Sequence, residues 1–427
     1  MNNDLQGKVL LYLRGIPRAK YVVQRARQLG IYVIVTDYDL SSPAKAVANE
    51  TAMVDYLDVD ALEAYCREKK VEGIMSGYLD TAIPVIHEVC KRLGLPCYTT
   101  EAMINAATDK SFFKQICNKN HVPVPQTYAI DLDKFDESVE KLPFPVFIKP
   151  LDASGSRGAD VCLDFDDFKK KYDFAMSWSK KGLVTIEDFL QGTEFILDYM
   201  LVDGKPHLTS MADRYTIEGH AAAINCCNLM IFPSKNLNRY NKEVNPLVCN
   251  MFETEGFRDG VIFMQGYVGK DIKFYEMGCR LGGTWPYIDE YFHGINPLDM
   301  LFRYSLTGKM LKNQDANQIT ANFKGNAAVI YFLAASEVGD IETVTGVEEI
   351  KNIPYVVSVL EYYKAGDHFA KGTLTDVLFL GVHLVADSFV QLKERINMIY
   401  ELIGYYDKDG KSLLSPVYDV EKLNGYE

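Results

Sequence analysis

The chain has 427 residues, more than one hydrophobic core usually organises, and its 48% of apolar residues can fill two or three structural units. The formal net charge of −13, with lysines and arginines dispersed along the chain, excludes a footprint for a nucleic-acid backbone. Nine cysteines occur without a Cys-x-x-Cys pair, so neither a disulfide framework nor a zinc site suits the sequence.

The apolar stretches are short. The longest of them, residues 9–13 and 31–35, have the length of strands, whereas a membrane-spanning helix needs roughly 20 apolar residues. The first eight residues lack the apolar core of a signal peptide. We therefore expect a cytoplasmic protein.

Strand and helix patterns alternate over the first hundred residues. Asp60 and Glu63 have the spacing of a capping box at the start of the second helix. Alternation of this kind builds a parallel sheet covered by helices on both faces. The predicted order is strand 8–13, helix 18–29, strand 31–36, helix from about 60, strand 71–75, helix 82–93 and strand 96–98.

The pattern changes after a proline-rich link. A helix over 109–120 runs into Val122-Pro-Val-Pro125, where two prolines end the helical pattern and mark a domain boundary. The region that follows reads as α+β with antiparallel sheets. Its predicted strands include 145–149, 184–187, 194–202 and 261–268.

The last hundred residues contain two predicted strands, near 327–332 and 356–363. A helix follows, and Ser388 and Gln391 have the spacing of its capping box. The final twenty residues look like a polar finish.

Two common nucleotide-binding motifs are absent. The turn after the first strand reads Arg14-Gly-Ile-Pro17 and lacks the Gly-x-Gly-x-x-Gly that admits a pyrophosphate, and the chain has no P-loop. Asp37, at the end of the second strand, could bind a ribose, but an acid at a strand end is more often a solvated turn or cap. We therefore interpret the first domain as a substrate platform and not as an NAD site.

A different phosphate site is predicted around Lys149. This lysine ends a strand, and the small-residue stretch 153–158 can bring backbone N–H groups over phosphate oxygens. Alone, the stretch is typical of a plain turn, but its position after Lys149 favours phosphate binding. The strand at 184–187 then enters an extended link whose backbone can hydrogen-bond an adenine edge, with Glu194 in reach of a ribose.

Oxygen donors and a cation follow in two predicted strands. If the strands pair, the amide oxygen of Gln265, the carboxylate of Glu276 and the guanidinium of Arg280 come together, as Mg²⁺-assisted phosphoryl transfer requires. In isolation, Glu276 and Arg280 would be interpreted as a surface ion pair across a turn. The chain order of the candidates changes that interpretation: Lys110, Lys149, the 153–158 loop, Glu187, Glu194, Gln265, Glu276, Arg280.

This order resembles the ATP-grasp superfamily, in the branch similar to carbamoyl-phosphate synthetase large chains, biotin carboxylase and carboxylate–amine ligases. The resemblance covers about residues 5–310, and the tail more loosely. It implies an α/β and α+β protein in which a Rossmann-like (pre-ATP-grasp) parallel-sheet domain, 1–108, precedes a two-lobed ATP-grasp domain with antiparallel sheets, 109–325. The small lobe is expected at about 123–190, the large lobe at about 191–325, and an α+β portion that completes the unit at 326–427.

The resemblance also implies a role for each candidate residue. Those expected to bind ATP are Lys110, Lys149, Ser154, Gly155, Ser156, Gly158, Glu187, Asp188, Phe189, Leu190 and Glu194. The expected ligands of Mg²⁺, with Mn²⁺ as the alternative metal, are Gln265 and Glu276. The expected catalytic residues are Lys149 and Arg280. The substrate candidates, at strand ends or loops, are Asp80, Arg214 and Lys235.

Two positions depart from the family pattern. Gly278 stands where the family commonly has an asparagine, and it cannot supply an amide oxygen to a second metal. Gln265 stands where many relatives carry a carboxylate, although a glutamine also suits carbamoyl-phosphate synthetase. We therefore expect fewer metal contacts or a water that completes the site.

The implied function is an ATP- and Mg-dependent carboxylate–amine (or amino acid) ligase that acts on small molecules through an acyl phosphate and releases ADP and phosphate. The alternatives are a bicarbonate-using carboxylase or a phosphoribosylamine–glycine ligase on the same fold, a kinase-like phosphotransferase, and a non-catalytic nucleotide-binding module. The expected partners are small molecules, without nucleic acid or membrane, and a homodimer is the default assembly.

Overall fold

The computed structural model describes residues 4–151, 158–216, 227–312, 316–371 and 377–426. Within these ranges no helix is long and apolar enough to cross a membrane. The eight cysteines in these ranges are free, and most are buried. Short 3₁₀ turns lie at Lys45–Val47, Asp80–Ala82, Leu132–Lys134, Ala316–Gln318 and Val420–Lys422.

The amino-terminal part forms the predicted parallel sheet, with strand order β3-β2-β1-β4. Its strands are β1 (Val9–Leu13), β2 (Tyr32–Thr36), β3 (Glu50–Ala52) and β4 (Gly73–Met75). The helices of this part are α1 (Ala19–Gln28), α2 (Val59–Lys69), α3 (Ile83–Leu93), α4 (Glu101–Thr108) and α5 (Lys110–Lys119). Helices α2 and α3 pack on one face of the sheet and α1 on the other.

Two local predictions for this part were wrong. Helix α2 begins at Val59, because the carboxylate of Asp58 accepts the Ala61 N–H at 3.0 Å and is the N-cap; Asp60 lies in the first turn. Residues 96–98 form no strand, since Tyr98 leaves the sheet and its hydroxyl donates to the Cys279 carbonyl.

A small antiparallel sheet follows, with strand order β5-β8-β6-β7. Its core includes Ile148, Phe168 and Ile186. Its strands are β5 (Thr127–Tyr128), β6 (Val146–Pro150), β7 (Asp160–Cys162) and β8 (Val184–Asp188), and its helices are α6 (Phe135–Glu140) and α7 (Phe165–Trp178).

The largest sheet is antiparallel, with strand order β13-β12-β9-β10-β11-β14-β19-β17. Its strands are β9 (Thr193–Val202), β10 (Lys205–Thr216), β11 (Cys227–Phe232), β12 (Gly260–Val268), β13 (Ile272–Gly278), β14 (Asn326–Leu333), β17 (Val356–Glu361) and β19 (Leu378–Ala386). The remaining strands pair as β15 (Val338–Asp340) with β18 (His368–Ala370) and β16 (Thr343–Thr345) with β20 (Gly404–Tyr406). The helices are α8 (Leu237–Glu243), α9 (Asn245–Thr254), α10 (Pro286–His293), α11 (Pro297–Thr307), α12 (Val347–Ile350) and α13 (Phe389–Leu402).

The predicted fold class, a parallel sheet followed by antiparallel sheets, is therefore confirmed. The predicted domain limits stay a prediction. Strands β14, β17 and β19 of the tail extend the same sheet as β9–β13. Helix α11 packs with α1 on the parallel sheet through Leu298, Leu301 and Phe302, so the amino-terminal sheet shares its core with a segment more than 200 residues later.

The prediction that the final twenty residues form a polar end of the chain was wrong. Val420, Leu423 and Tyr426 are buried, and the Tyr426 ring stacks on Phe389 with 4.6 Å between ring centroids. The Tyr426 hydroxyl donates to the buried Asp213 carboxylate at 2.5 Å. Isolated apolar residues between polar ones show no pattern in the sequence. They are buried here because the fold brings other residues against them.

One carboxyl group is buried inside the large sheet without a counter-ion. Asp198, on β9, is 4% exposed, and burial raises its pKa to about 7. The Gly282 backbone, the Trp285 side chain and the charge of Arg280 lower the pKa only in part. The buried Asp289 nearby also has a pKa raised by burial and by the charge of Asp198. Both acids are therefore costly to ionise in the folded protein.

The Asp198→Asn variant is expected to flatten the pH dependence of stability. In the wild type the unfolded state ionises above pH 4 while the folded acid stays protonated until about pH 7, so stability falls as pH rises through that window. This shift in the pKa of Asp198 corresponds to about 4 kcal/mol in the free energy of unfolding across the window. Urea unfolding at a series of pH values measures how the free energy of unfolding of each protein depends on pH. Parallel curves for wild type and variant would contradict the prediction, and Asp136→Asn, an exposed acid, is the control.

Candidate functional site

A buried carboxylate of the small sheet holds two lysines. Glu187, at the end of β8, is 3% exposed. Its Oε2 accepts from Lys149 Nζ of β6 at 2.8 Å, and its Oε1 lies 2.9 Å from Lys114 Nζ of α5. Since β6 and β8 pair in antiparallel register, Lys149 and Glu187 share one face of the sheet. The predicted phosphate lysine is thus fixed by a carboxylate.

Helix α5 adds a third lysine. The Asp109 carboxylate caps the helix by accepting the Ser111 and Phe112 N–H groups at 2.8 and 3.2 Å, so the helix begins at Lys110. Lys110 and Lys114 are then one turn apart on the same face. Burial lowers the pKa of Lys110; the charge of Lys149 lowers it further, while Glu276 and Glu187 oppose the shift. Three ammonium groups therefore converge on one region.

The face of the large sheet carries the oxygen donors. Glu194 of β9 lies opposite Arg214 of β10, and Gln265 of β12 lies opposite Glu276 of β13. The condition set in the sequence analysis, that these two strands pair, is therefore met. A bulge at Tyr275 changes the register between Gln265 and the next residue, and such a bulge re-aims side chains.

The bulge residue Tyr275 connects the group. Its hydroxyl lies 2.5 Å from Glu194 Oε1 and 3.0 Å from Gln265 Oε1. Arg214 Nη1 donates to the same Glu194 oxygen at 2.5 Å. Glu194, Arg214, Tyr275 and Gln265 thus form one hydrogen-bonded cluster.

Glu276 lies between this cluster and the lysines. Its side chain is reached by solvent, yet protein atoms surround it and raise its pKa by desolvation. The charges of Arg280, Lys110 and Arg214 lower the pKa, and that of Asp80 raises it. A carboxylate among three cations and open to solvent is placed to bind a cation that enters with an anionic ligand.

Arg280 joins the segment after β13 to the amino-terminal part. Its Nε and Nη2 donate to the two oxygens of Asp80 at 2.7 and 3.0 Å, a bidentate pair. The guanidinium also lies 4.6 Å from the centroid of the Phe263 ring. Asp80, a substrate candidate in the sequence, therefore orients the predicted catalytic arginine.

The Phe263 ring explains the departure at Gly278. These two residues are directly opposite on β12 and β13, and a Cβ on Gly278 would lie 2.1 Å from Phe263 Cε1. No larger residue fits there while Phe263 supports Arg280. An asparagine at this position would therefore require the Phe263 ring to move.

The extended link that the sequence analysis proposes for adenine binding runs from β8 to β9. The Asp188 carboxylate binds the Tyr128 hydroxyl at 2.6 Å and Lys273 Nζ at 2.7 Å, which fixes the end of β8. Phe189 and Leu190 are partly exposed beyond it. Gly192 has φ 126°, and a Cβ there would lie 2.1 Å from the Val268 carbonyl oxygen. The link is held tightly against β12.

The remaining predicted site residues either lie outside the described residues or do not join the clusters described above. Ser154, Gly155 and Ser156 lie outside the described residues; Gly158 is buried with φ 72°, and a Cβ there would lie 2.7 Å from Trp178 Cβ. Lys235 is not brought to the site: its Nζ donates to the Asn424 carbonyl at 3.2 Å, and its N–H donates to Asp213. Asp213 and Arg214 are successive strand residues and point to opposite faces.

Sequence reasoning missed Lys114, Tyr275 and Lys273. Lys114 could have been found, because it is four residues after Lys110 in the predicted helix. Tyr275 reaches Glu194 and Gln265 through a bulge that no residue pattern announces. Within the described ranges no group of three or more His, Cys, Asp and Glu side chains could hold a metal. The predicted metal site therefore has one carboxylate, that of Glu276, and needs the amide oxygen of Gln265 as its second protein ligand.

Residues 109–219 match the sequence model of a family described as "Carbamoyl-phosphate synthase L chain, ATP binding domain". Among curated relatives, the formate-dependent phosphoribosylglycinamide formyltransferase of Histophilus somni is 26% identical over 176 residues, 40% of this chain and 44% of the relative. The enzyme of the same name from Bacillus velezensis is 24% identical over 189 residues, 43% of this chain and 49% of the relative. The chain thus spans less than half the length of these relatives.

Solved structures match over almost the whole chain. Phosphoribosylglycinamide synthetase from Anaerococcus prevotii has a TM-score of 0.76 at 16% identity, over 94% of this chain and 100% of that chain. L-amino acid ligase from Bacillus licheniformis has a TM-score of 0.74 at 17% identity, over 94% and 99%. The biotin carboxylase domain of Hydrogenobacter thermophilus 2-oxoglutarate carboxylase, in complex with MgADP and bicarbonate, has a TM-score of 0.75 at 17% identity, over 97% and 92%.

The resemblance predicted from the sequence is thereby confirmed: the protein has the ATP-grasp fold, and its residues 109–219 match the ATP-binding domain of the carbamoyl-phosphate synthase L chain.

Proposed function

We propose that the protein is an ATP- and Mg²⁺-dependent ligase that joins a carboxylate to an amine through an acyl phosphate. The observation that carries this proposal is the convergence of Lys110 and Lys149 with Glu276, which faces Gln265 on the next strand. Cations for phosphate oxygens and oxygen donors for a metal are the two requirements of phosphoryl transfer.

In this proposal the nucleotide lies between the two lobes. Lys110 and Lys149 bind its phosphates, Glu194 binds the ribose, and the backbone of residues 187–190 binds the adenine. The loop with Ser154, Gly155, Ser156 and Gly158 covers the triphosphate. The Lys149–Glu187 and Lys114–Glu187 contacts support this arrangement, because they hold lysines near the cleft before a ligand enters.

The donor set suits Mg²⁺. Glu276 offers a solvent-open carboxylate and Gln265 an amide oxygen, and Mg²⁺ usually takes one or two protein oxygens together with waters and substrate phosphates. The packing of Phe263 against Gly278 agrees with a small protein ligand set. When bound, the metal would neutralise charge on the phosphates and orient them.

The chemistry then needs few protein groups. A substrate carboxylate oxygen attacks the γ-phosphorus, the bond to the β,γ-bridging oxygen breaks, and ADP leaves. The amine nitrogen attacks the acyl carbon, the carbon–oxygen bond to phosphate breaks, and inorganic phosphate and a proton are released. Lys149 and Arg280 offset the negative charge that develops on the transferred group. The protein mainly positions the reactants and shields them.

The test is ADP release by the purified full chain with Mg·ATP and a panel of amino acids, small carboxylates, bicarbonate and amines. We expect turnover that requires both an acid and an amine and is lost in Lys149→Ala and Glu276→Ala. Lys141→Ala, an exposed lysine of the same lobe, is the control and should keep full activity.

Other outcomes would overturn the proposal or specify it. Turnover with bicarbonate as the acid would indicate a carboxylase instead. A requirement for phosphoribosylamine and glycine would support the ligase reaction and identify its two substrates. A stable phosphorylated product would indicate a phosphotransferase. Nucleotide binding without turnover across the panel would indicate a non-catalytic module.

A further inference from the structure

An open groove of about 600 Å³ lies on the surface beside the loop that follows α3. Cys97, in that loop, is half-buried and lines the groove together with His87, Lys91 and Thr99. Cys90, on α3, is fully buried, and its thiol hydrogen-bonds with the Cys97 sulfur. Cys90 therefore meets Cys97 from the inner side of the groove wall. We call these two cysteines the thiol pair.

The end of α3 brings the two sulfurs together. Gly94 ends the helix with φ 68°, and the Leu95 N–H donates to the Cys90 carbonyl at 3.0 Å. The chain thus turns back beside the last turn of the helix, so that Cys97, seven residues after Cys90, reaches it. The contact between the two thiols is a consequence of this turn.

The surroundings of Cys97 stabilise its thiolate. The Cys90 thiol donates to the Cys97 sulfur, and the Thr99 hydroxyl lies 3.2 Å from it. His87 Nδ1 lies 4.0 Å from the same sulfur. These contacts, of which the hydrogen bond from Cys90 is the strongest, lower the pKa of Cys97 although burial opposes them. The same hydrogen bond and burial raise the pKa of Cys90. The proton therefore stays on Cys90, and Cys97 is the nucleophile of the pair.

Cys249 is a second half-buried cysteine, in different surroundings. Its thiol donates to Asn245 Oδ1 at 3.4 Å. Burial and the charge of Glu253 raise its pKa to about 11. An acceptor beside a sulfur favours the thiol, whereas the donors beside Cys97 favour the thiolate. The two cysteines thus have similar exposure and opposite shifts in pKa, which makes Cys249 an internal control.

We propose that Cys97 is a site of reversible oxidation by hydrogen peroxide and that Cys90 converts the oxidised Cys97 to a disulfide. The proposal is independent of the ligase function. Cysteines that oxidise reversibly combine thiolate character, access from solvent and a second thiol in contact. The groove admits a small oxidant to the Cys97 sulfur, while the buried Cys90 contacts that sulfur from the inner side.

The reaction has two steps. The Cys97 thiolate attacks one peroxide oxygen, the O–O bond breaks and hydroxide leaves; the sulfur loses two electrons and becomes a sulfenic acid. The Cys90 sulfur then attacks the Cys97 sulfur, the S–O bond breaks, and the hydroxyl leaves with the Cys90 proton as water. Overall, two thiols and one peroxide give a disulfide and two waters. A thiol reductant restores both cysteines by disulfide exchange.

Mass spectrometry of the purified full chain, after treatment with hydrogen peroxide, tests the thiol pair. Trypsin cleaves after Lys91 and Arg92, between the two cysteines, so a disulfide appears as two linked peptides. We expect this link in the wild type and its loss with dithiothreitol. Cys90→Ser should stop at the sulfenic acid, which dimedone traps on Cys97. Cys249→Ser is the control and should form the same link as the wild type.

Alkylation by iodoacetamide at neutral pH tests the reactivity of Cys97 in the wild-type chain, without any variant. Cys97 should react about tenfold faster than Cys249, or more, because only the thiolate reacts. Thr99→Val removes the hydroxyl donor and should slow the alkylation of Cys97 about threefold, with no change at Cys249.

Three results would each overturn the proposal. The first is a peroxide-treated wild type without the link between Cys90 and Cys97. The second is a Cys97 that iodoacetamide alkylates no faster than Cys249. The third is a Cys90→Ser variant in which dimedone finds no sulfenic acid on Cys97.

Discussion

Replacing Arg280 with glutamine is expected to lower the kcat of the proposed ligase on the order of 10²- to 10³-fold. This is the usual effect of removing one donor from developing negative charge in a shielded site. Arg280 is held by the bidentate bond to Asp80 and by the Phe263 ring, so no other cation can take its geometry. The KM for ATP should change little, because Lys110 and Lys149 are the proposed phosphate ligands.

The measurement is steady-state ADP release with saturating substrates, once the panel has identified them. Asp80→Asn should show a smaller loss, about tenfold, since the arginine stays but loses its charged partner. Arg303→Gln is the matched control, because Arg303 also makes a bidentate pair with a carboxylate, that of Asp4, at 2.9 and 2.7 Å. A kcat for Arg280→Gln within twofold of the wild type would exclude the assigned role.

The Glu187→Gln variant is expected to lose about 3–5 kcal/mol of stability. Glu187 is buried between Lys114 and Lys149, so loss of its charge leaves two ammonium groups close together without a counter-ion. Mg·ATP should narrow the difference between variant and wild type, because phosphate oxygens would supply the missing negative charge. Thermal and urea unfolding, with and without Mg·ATP, measure both effects.

The control for this prediction is Glu137→Gln, which removes an exposed pair with Lys141 and should cost at most about 0.5 kcal/mol. Equal losses of stability in the two variants would show that the buried Glu187 carboxylate is not needed to neutralise Lys114 and Lys149. If Mg·ATP does not reduce the stability loss of Glu187→Gln, Lys114 and Lys149 do not contact the nucleotide phosphates.

The sequence predicted the fold class because periodicity and chain order are local properties. The strand–helix alternation up to residue 93 followed from them, whereas the pairing of Gln265 with Glu276 was only a condition until the structure showed it. The fully buried strand β19 is absent from the prediction, since a continuous apolar run lacks the alternation that marks a strand. Helix α4 and the short strand β3 are also absent from it.

Long-range contacts were less predictable. The Asp80–Arg280 pair spans 200 residues, and nothing in either segment names the other. The same is true of Arg18, whose charge acts on Tyr331 and Tyr362 only after the tail strands join the large sheet. Residue type marked Arg280 as a candidate, but the partners that define its geometry come from the fold.

The shared core between the parallel sheet and α11 has a consequence for synthesis of the protein. About 220 residues separate Met75, the end of β4, from Pro297, the start of the helix that covers one face of the sheet. At roughly 5–20 residues per second, the ribosome needs on the order of 10–50 s to deliver that helix. During this interval Leu10, Val33 and their neighbours lack the part of their cover that α11 provides. We therefore expect the nascent chain to expose apolar surface of the parallel sheet for that time, and such surface is prone to aggregation.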